Sequence, residues 1–371
     1  MNRVLYYIPG LARRWGGTER QLLNLTANLD RRRFDPLVWI AAEVGGGAEP
    51  LRRAGVPVHR VPVDVEDPVA VERVICWMRG LDARIFHSFG YGDEWFDVVF
   101  AKLAGIPVCI SRRANLRHWN PERKPRFPEH LRNAGSDIVT ANAQAVARLY
   151  EEVERIAPEK MRVIYNGVEQ ISVPQKEAAR AELGLGGSDL VAGNVANARQ
   201  VKGQDCLLWA FRRVADIVPN AKLVICGDGL ERGDLERLRN DLELQHRVVF
   251  TGFRADVEAI YAALDLYVSP SFSEGLSNSI LEAMSCGLAV VATDVGGTAE
   301  PVEAGLTGLL VPAGDAVQLS AAMIRLFQDR ELRHAMGERG RARVQRDFSI
   351  TRMVDEHERL YAAELARRGF L

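Results

Sequence analysis

The sequence predicts an α/β protein of two doubly wound units, each a parallel sheet with helices on both faces. Three observations carry that prediction. Short apolar runs alternate with amphipathic helical periodicities from residue 3 to residue 165, and strands fed by intervening helices form parallel sheets. The alternation restarts near Leu190, after a stretch at 170–187 that contains Pro174 and ends in Gly184-Leu-Gly-Gly187. The chain has 371 residues, 47% of them hydrophobic, which is more than one ordinary domain holds and enough for two cores. The expected division is 1–168, 169–348 and a last amphipathic helix over 349–371, able to pack back on the first unit.

In chain order, residues 3–8 read as a buried strand. Gly10, Gly16 and Gly17 follow, and Thr18-Glu19-Arg20-Gln21 has the form of a capping box with Thr18 at the N-cap. Leu22, Leu25 and Leu29 then fall on one helical face. A strand, a Gly-rich loop and a helix in that order suit backbone approach to an anion, although neither G-x-G-x-x-G nor a Walker lysine is present. Further strand signals lie at 37–41, 56–61, 84–88, 108–111, 137–141 and 161–165, with helical patterns at 68–79, 93–104 and 143–153 between them. His87 closes one of these strands, at the carboxyl end where functional groups of such sheets collect. The segment 111–132 holds Arg112, Arg113, Arg117, Arg123, Lys124, Arg126 and Arg132, with His118, Trp119 and Phe127 interleaved. It reads either as a solvated basic surface or as a long loop that receives an anionic or lipid-linked acceptor.

In the second half a strand at 190–195 leads into Ala196-Asn-Ala-Arg-Gln-Val-Lys202-Gly203, where a cation stands in a strand-to-helix loop. Strands at 222–226 and 247–251 end in Gly227-Asp-Gly229 and Gly252-Phe253-Arg254. A helix at 257–264 precedes Tyr267-Val-Ser-Pro-Ser-Phe-Ser-Glu274-Gly-Leu-Ser-Asn-Ser-Ile-Leu-Glu282. An apolar strand ends near Ser269, Pro270 breaks it, Gly275 permits a tight turn, and a helix is expected to start near Leu276 or Ser277. The first N–H groups of a helix have no partner within it, and its N-terminus favours negative charge. Glu274 stands just before those donors and Glu282 two turns beyond. One carboxylate can therefore sit beside a bound anion while the other reaches a neighbouring polyol, an arrangement that fits a diphosphate between a sugar and a ribose. A strand at 288–293 with Gly296-Gly297 and Glu300, then helices at 315–327 and 331–344, complete the unit.

A net charge of −1 argues against a general nucleic-acid binder. The five cysteines form no C-x-x-C pair and no metal spacing, so core thiols in a reducing compartment are expected. The apolar run at 4–8 is too short for a signal peptide, and no stretch approaches a membrane span. The expected location is cytoplasmic, with peripheral membrane contact left open.

The run from Glu274 to Glu282 resembles the E-x7-E motif of the retaining family 4 glycosyltransferases of the GT-B fold. The order of its neighbours is similar as well: Gly16-Gly17-Thr18-Glu19, Arg199 with Lys202-Gly203, Gly227-Asp-Gly229, Val249-Phe-Thr-Gly252, Ser269-Pro-Ser271, and Gly296-Gly297 with Glu300. The resemblance implies two Rossmann-like domains across a cleft and an enzyme that moves a sugar from a nucleotide diphosphate sugar to a hydroxyl acceptor. It implies that Glu282 holds the ribose and Glu274 the transferred sugar. Lys202, with Arg199, would neutralise the diphosphate, helped by the backbone at Gly275, Leu276, Ser277 and Asn278, while Gly16 and Gly17 meet the donor from the other domain. The base would rest near Gly227, Gly229 and Phe253. Arg112, Arg113 and Arg117 would hold the acceptor. No cofactor is implied and no metal, since the cations do that work and no D-x-D triplet is present. Two departures stand out. Asn197 occupies the position where the family often has Arg, and His87-Ser88-Phe89 replaces its H-x-H, so His87 is a catalytic candidate only if the first histidine is the one that matters. A nucleotide-sugar epimerase, a phosphorylase, or a non-catalytic sugar-nucleotide binder are the competing readings; a phosphorylase would need a pyridoxal phosphate site, of which the sequence gives no sign.

Overall fold

The buried strands explain the architecture, because a strand covered on both faces reads as an unbroken apolar run. The computed structural model describes residues 1–11, 16–42, 47–90, 95–116 and 127–370. These form two units, residues 1–167 with 350–371, and residues 168–349.

Unit 1 begins β1 (Asn2–Ile8), α1 (Gly17–Asn28), β2 (Phe34–Ile40), α2 (Glu49–Arg53), β3 (Val58–Arg60), α3 (Pro68–Gly80) and β4 (Ile85–Ser88). It continues α4 (Phe96–Leu103), β5 (Val108–Arg113), α5 (Phe127–Gly135), β6 (Ile138–Ala141), α6 (Gln144–Glu154) and β7 (Met161–Val163). The seven strands are parallel, in the order β3-β2-β1-β4-β5-β6-β7. Successive residues of β1 point to opposite faces and so feed two cores. Val4, Tyr6 and Ile8 pack with Leu22 and Leu25 of α1, and Leu5 and Tyr7 pack with Trp39, Val74, Phe86 and Val98. Each such side chain contributes about 1.5–3 kcal/mol on burial. The start of α3 follows its sequence: Asp67 accepts a hydrogen bond from the Val69 N–H at 2.9 Å, and Pro68 supplies a preset φ.

Unit 2 holds α7 (Lys176–Glu182), β8 (Leu190–Val195), α8 (Gln204–Ile217), β9 (Ala221–Cys226), α9 (Arg232–Asp241), β10 (Val248–Gly252) and α10 (Val257–Ala263). Then come β11 (Leu266–Ser269), α11 (Asn278–Ser285), β12 (Ala289–Thr293), β13 (Gly308–Val311), α12 (Ala316–Gln328) and α13 (Arg330–Asp347). Its six parallel strands run β10-β9-β8-β11-β12-β13. The chain ends in α14 (Ile350–Ala366), whose Met353, Tyr361 and Leu365 join the core of unit 1.

Three local expectations are corrected. The α1 capping box sits two residues earlier than expected: Gly16 is the N-cap, and its N–H donates to the Glu19 carboxylate at 3.0 Å. Gln21 is instead buried and exchanges two hydrogen bonds with the Gly167 backbone, at 2.9 and 3.0 Å. The stretch at 170–187 contains a helix, α7, held by charge rather than by an apolar stripe. Its Arg180 and Lys176 grip Asp265 at 2.6 and 2.7 Å, so hydrophobic periodicity gave no sign of it. The basic segment 111–132 is not one loop, since Arg112 and Arg113 complete β5 and Arg132 lies in α5. Among the described residues no helix is long and apolar enough to cross a membrane.

Candidate functional site

In the sheet of unit 2, β8 connects outward through α8 to β9 on one side, while β11 lies on its other side. The carboxyl ends of β8 and β11 therefore flank the topological switch point, where ligands of open α/β sheets bind. The loop after β8 carries Arg199 and Lys202, and the loop after β11 carries Glu274. These loops are joined through their backbones. The Phe272 N–H donates to the Val201 carbonyl at 2.8 Å. Gly203 has φ +62°, and a Cβ there would lie 2.1 Å from the Pro270 carbonyl oxygen. Only glycine allows that approach, which explains the Lys202-Gly203 pair physically. Gly227 does the same one strand over, where a Cβ would lie 1.9 Å from the Ala196 carbonyl oxygen.

The joined loops bring Lys202 Nζ to 2.6 Å from Glu274 Oε1. The same oxygen accepts a hydrogen bond from the buried Ser271 hydroxyl at 2.7 Å. Ser271 is fixed in turn by Thr293 at the end of β12, whose hydroxyl donates to the Ser271 carbonyl at 2.5 Å. The Gly297 N–H donates to the Glu274 carbonyl at 3.2 Å. Arg199 is exposed at the turn that ends in Lys202.

Ser277 is the N-cap of α11, and its side chain caps none of the helix's first N–H groups. Its hydroxyl lies 3.2 Å from that of Ser279 instead. The start of α11 thus keeps a partial positive charge beside Glu274. Leu276 and Ser277 are buried and Asn278 is half-buried. Gly275 is buried, and the chain bends at Gly275 and Leu276 as expected, without a left-handed φ. Glu282 lies on α11, where its Oε2 accepts a 2.7 Å hydrogen bond from Tyr261 of α10. Burial, then the negative Glu282, push the Tyr261 hydroxyl well above the usual phenol range, which keeps it a donor. Gly229 and the 40%-exposed Phe253 stand at the ends of β9 and β10, along the same edge of the sheet.

In unit 1, Gly16 and Gly17 open α1 after β1, and His87 lies on β4, the strand beside β1 at that sheet's switch point. His87 has no exposed surface. Its Nδ1 pairs with the Tyr361 hydroxyl at 2.7 Å, and its ring lies 5.6 Å from that of His357. Burial, with His357 and Arg112 nearby, holds its pKa well below the histidine norm. The expectation of a catalytic His87 is corrected: it is a neutral core histidine. Arg113 is likewise removed from the acceptor candidates. Its guanidinium is buried against Glu154 at 3.2 Å, Asn133 at 2.6 Å and Ser111 at 3.2 Å. Arg112 bonds Asn166 at 2.7 Å and stacks over the Phe89 ring. Arg117 lies outside the described residues.

Sequence reasoning missed Ser271, Thr293 and Tyr261. Serine within Ser-Pro-Ser was noted as part of a pattern, but nothing local shows which hydroxyl turns toward a carboxylate.

Residues 175–343 match the family described as Glycosyl transferases group 1, and residues 15–170 match Glycosyltransferase Family 4. The chain is 35% identical over 266 residues to the GDP-mannose-dependent monoacylated alpha-(1-6)-phosphatidylinositol monomannoside mannosyltransferase of Corynebacterium glutamicum, covering 67% of this chain and 68% of that one. It is 31% identical over 229 residues to the N-acetyl-alpha-D-glucosaminyl L-malate synthase of Bacillus anthracis, spanning 61% of this chain and 59% of that relative. In fold it is similar to Anabaena HepE in complex with UDP-glucose, with a TM-score of 0.85 and 23% identity over 97% of this chain and 99% of that one.

Proposed function

The chain belongs to the group 1, family 4 glycosyltransferases, enzymes of the GT-B fold, and from that premise we propose that it transfers a sugar, with retention of configuration, from a nucleoside diphosphate donor held on unit 2 to a hydroxyl acceptor. The observation that carries this reading is the 2.6 Å pair of Lys202 and Glu274 at the switch point of the sheet, beside a helix start whose N-cap side chain makes no capping hydrogen bond.

Each part has a separate task. Breaking the bond between the sugar and the phosphate gathers negative charge on the departing diphosphate and oxocarbenium character on the sugar. Lys202, Arg199 and the N–H groups at the start of α11 are preorganised for that negative charge, and stabilisation of this kind supplies much of the rate enhancement in many enzymes. Glu274 then releases Lys202 to the diphosphate and turns to the transferred sugar, while Glu282 takes the ribose hydroxyls. Phe253 packs on the base. Unit 1 supplies the acceptor site. Two findings about relatives support the donor class: the Anabaena structure is described as a complex with UDP-glucose, and the Corynebacterium relative is named for GDP-mannose.

Thermal shifts with UDP, GDP, ADP and dTDP, each with its glucose or mannose conjugate, test the reading. A ligand that binds only the folded chain adds about 2.7 kcal/mol at a hundred times its dissociation constant, so one base should raise the midpoint as diphosphate and sugar conjugate alike. Its nucleoside should not. No shift with any diphosphate at millimolar concentration would overturn the proposal.

A further inference from the structure

The geometry points to Ser271 as a positioning residue for Glu274, one that holds the carboxylate in place when Lys202 moves to the donor. This rests on the donor site proposed above.

In the structure two donors converge on one oxygen of Glu274: Lys202 Nζ at 2.6 Å and Ser271 Oγ at 2.7 Å. Among the described residues Oε2 has no partner. A diphosphate offers Lys202 more negative charge than one carboxylate does, so donor binding draws the ammonium toward the phosphates. Glu274, whose side chain is only 10% exposed, then loses its cation where water compensates little. Ser271 is built to stay. It is 2% exposed, its carbonyl is held by Thr293, and the N–H of its neighbour Phe272 donates to the Val201 carbonyl. Its hydroxyl carries no charge, so an incoming phosphate does not compete for it as it does for Lys202. Keeping Oε1 on Ser271 fixes the plane of the carboxylate and leaves Oε2 for a hydroxyl of the transferred sugar. Tyr261 stands in the same relation to Glu282 on the ribose side, with its hydrogen bond on Oε2 at 2.7 Å. Each acid of the motif thus has one buried hydroxyl that orients it, and the two should control different steps.

The experiment compares Ser271→Ala, Ser271→Thr and Tyr261→Phe in the full chain. It measures calorimetric binding of UDP and UDP-glucose, steady-state UDP release from UDP-glucose, and the thermal midpoint. Ser271→Ala should lower kcat about 10- to 100-fold, the loss of one hydrogen bond to a charged group. UDP affinity should stay within about twofold, since UDP lacks the sugar that Glu274 meets. Ser271→Thr keeps the hydroxyl and should recover most of that kcat. Tyr261→Phe should weaken UDP binding, which Ser271→Ala leaves alone. Ser271→Ala with wild-type kcat, or with kcat and UDP affinity lowered together, would overturn the positioning role; so would Ser271→Thr as slow as Ser271→Ala while its midpoint is unchanged. Failure of the wild-type chain to bind UDP or UDP-glucose, together with the other bases, strikes the donor reading itself. Intact donor binding with an unaffected Ser271→Ala strikes only this inference.

Discussion

Replacing Gly203 by alanine should separate the two loops that make the site, and the structure fixes the scale of the effect. At φ +62° an L-residue costs about 1–2 kcal/mol on conformation alone. The added Cβ would also lie 2.1 Å from the Pro270 carbonyl oxygen and 3.1 Å from its carbon. Relieving that overlap takes a backbone shift of roughly 1 Å, and forced shifts of this kind typically cost about 1–3 kcal/mol. The sum is about 2–5 kcal/mol. For a unit of this size that corresponds to roughly 5–20 °C in thermal midpoint. The control is Gly184→Ala. Gly184 has nearly the same φ, +68°, but nothing lies within 4 Å of its would-be Cβ. It should show the conformational cost without the clash, about 1–2 kcal/mol. Calorimetric unfolding of both variants reads the difference directly. On the proposed function, release of the nucleoside diphosphate from its sugar conjugate should also fall about 100-fold in Gly203→Ala, because a 1 Å displacement moves Lys202 away from Glu274. Gly203→Ala no less stable than Gly184→Ala, with wild-type turnover, would refute the argument that this contact builds the site.

On the proposed function, Lys202→Met should lower release of the nucleoside diphosphate from its sugar conjugate by about 10²–10³-fold, the usual cost of one preorganised donor. Wild-type turnover in that variant would remove Lys202 from the donor site. Arg113→Met should destabilise unit 1 by about 3–5 kcal/mol in denaturant titration, since it leaves the buried Glu154 carboxylate without its cation. A stable variant with a raised acceptor KM would return Arg113 to acceptor binding. His357 is buried, donates from Nδ1 to the Met353 carbonyl, and has its pKa pushed down to about 4 chiefly by burial. Unfolding takes up its proton, so this stability is complete above about pH 6.5 and lost as the pH falls toward 4, about 2 kcal/mol of it by pH 5. His87, facing it across 5.6 Å with Arg112 and Tyr361 nearby, works in the same direction. Urea midpoints at pH 7 and pH 5 should show that loss, and His357→Asn should flatten it; equal slopes in both proteins would contradict it.

The alternation of apolar runs with helical faces determined the two parallel sheets, because periodicity is a local property that survives without knowledge of neighbours. The spacing of Glu274 and Glu282 and the lysine beside Gly203 likewise stood in the sequence as chemistry waiting for a partner. What the sequence left undecided was partnership. Lys202 and Glu274 are 72 residues apart and meet only because β11 inserts beside β8 instead of following β10 at the edge. The tertiary fold also decided that His87 faces Tyr361 of the last helix and that Arg113 faces Glu154, burying one catalytic candidate and one acceptor-binding candidate. Burial is set by whatever element returns to cover a side chain, and for His87 that element is α14, 274 residues further along the chain.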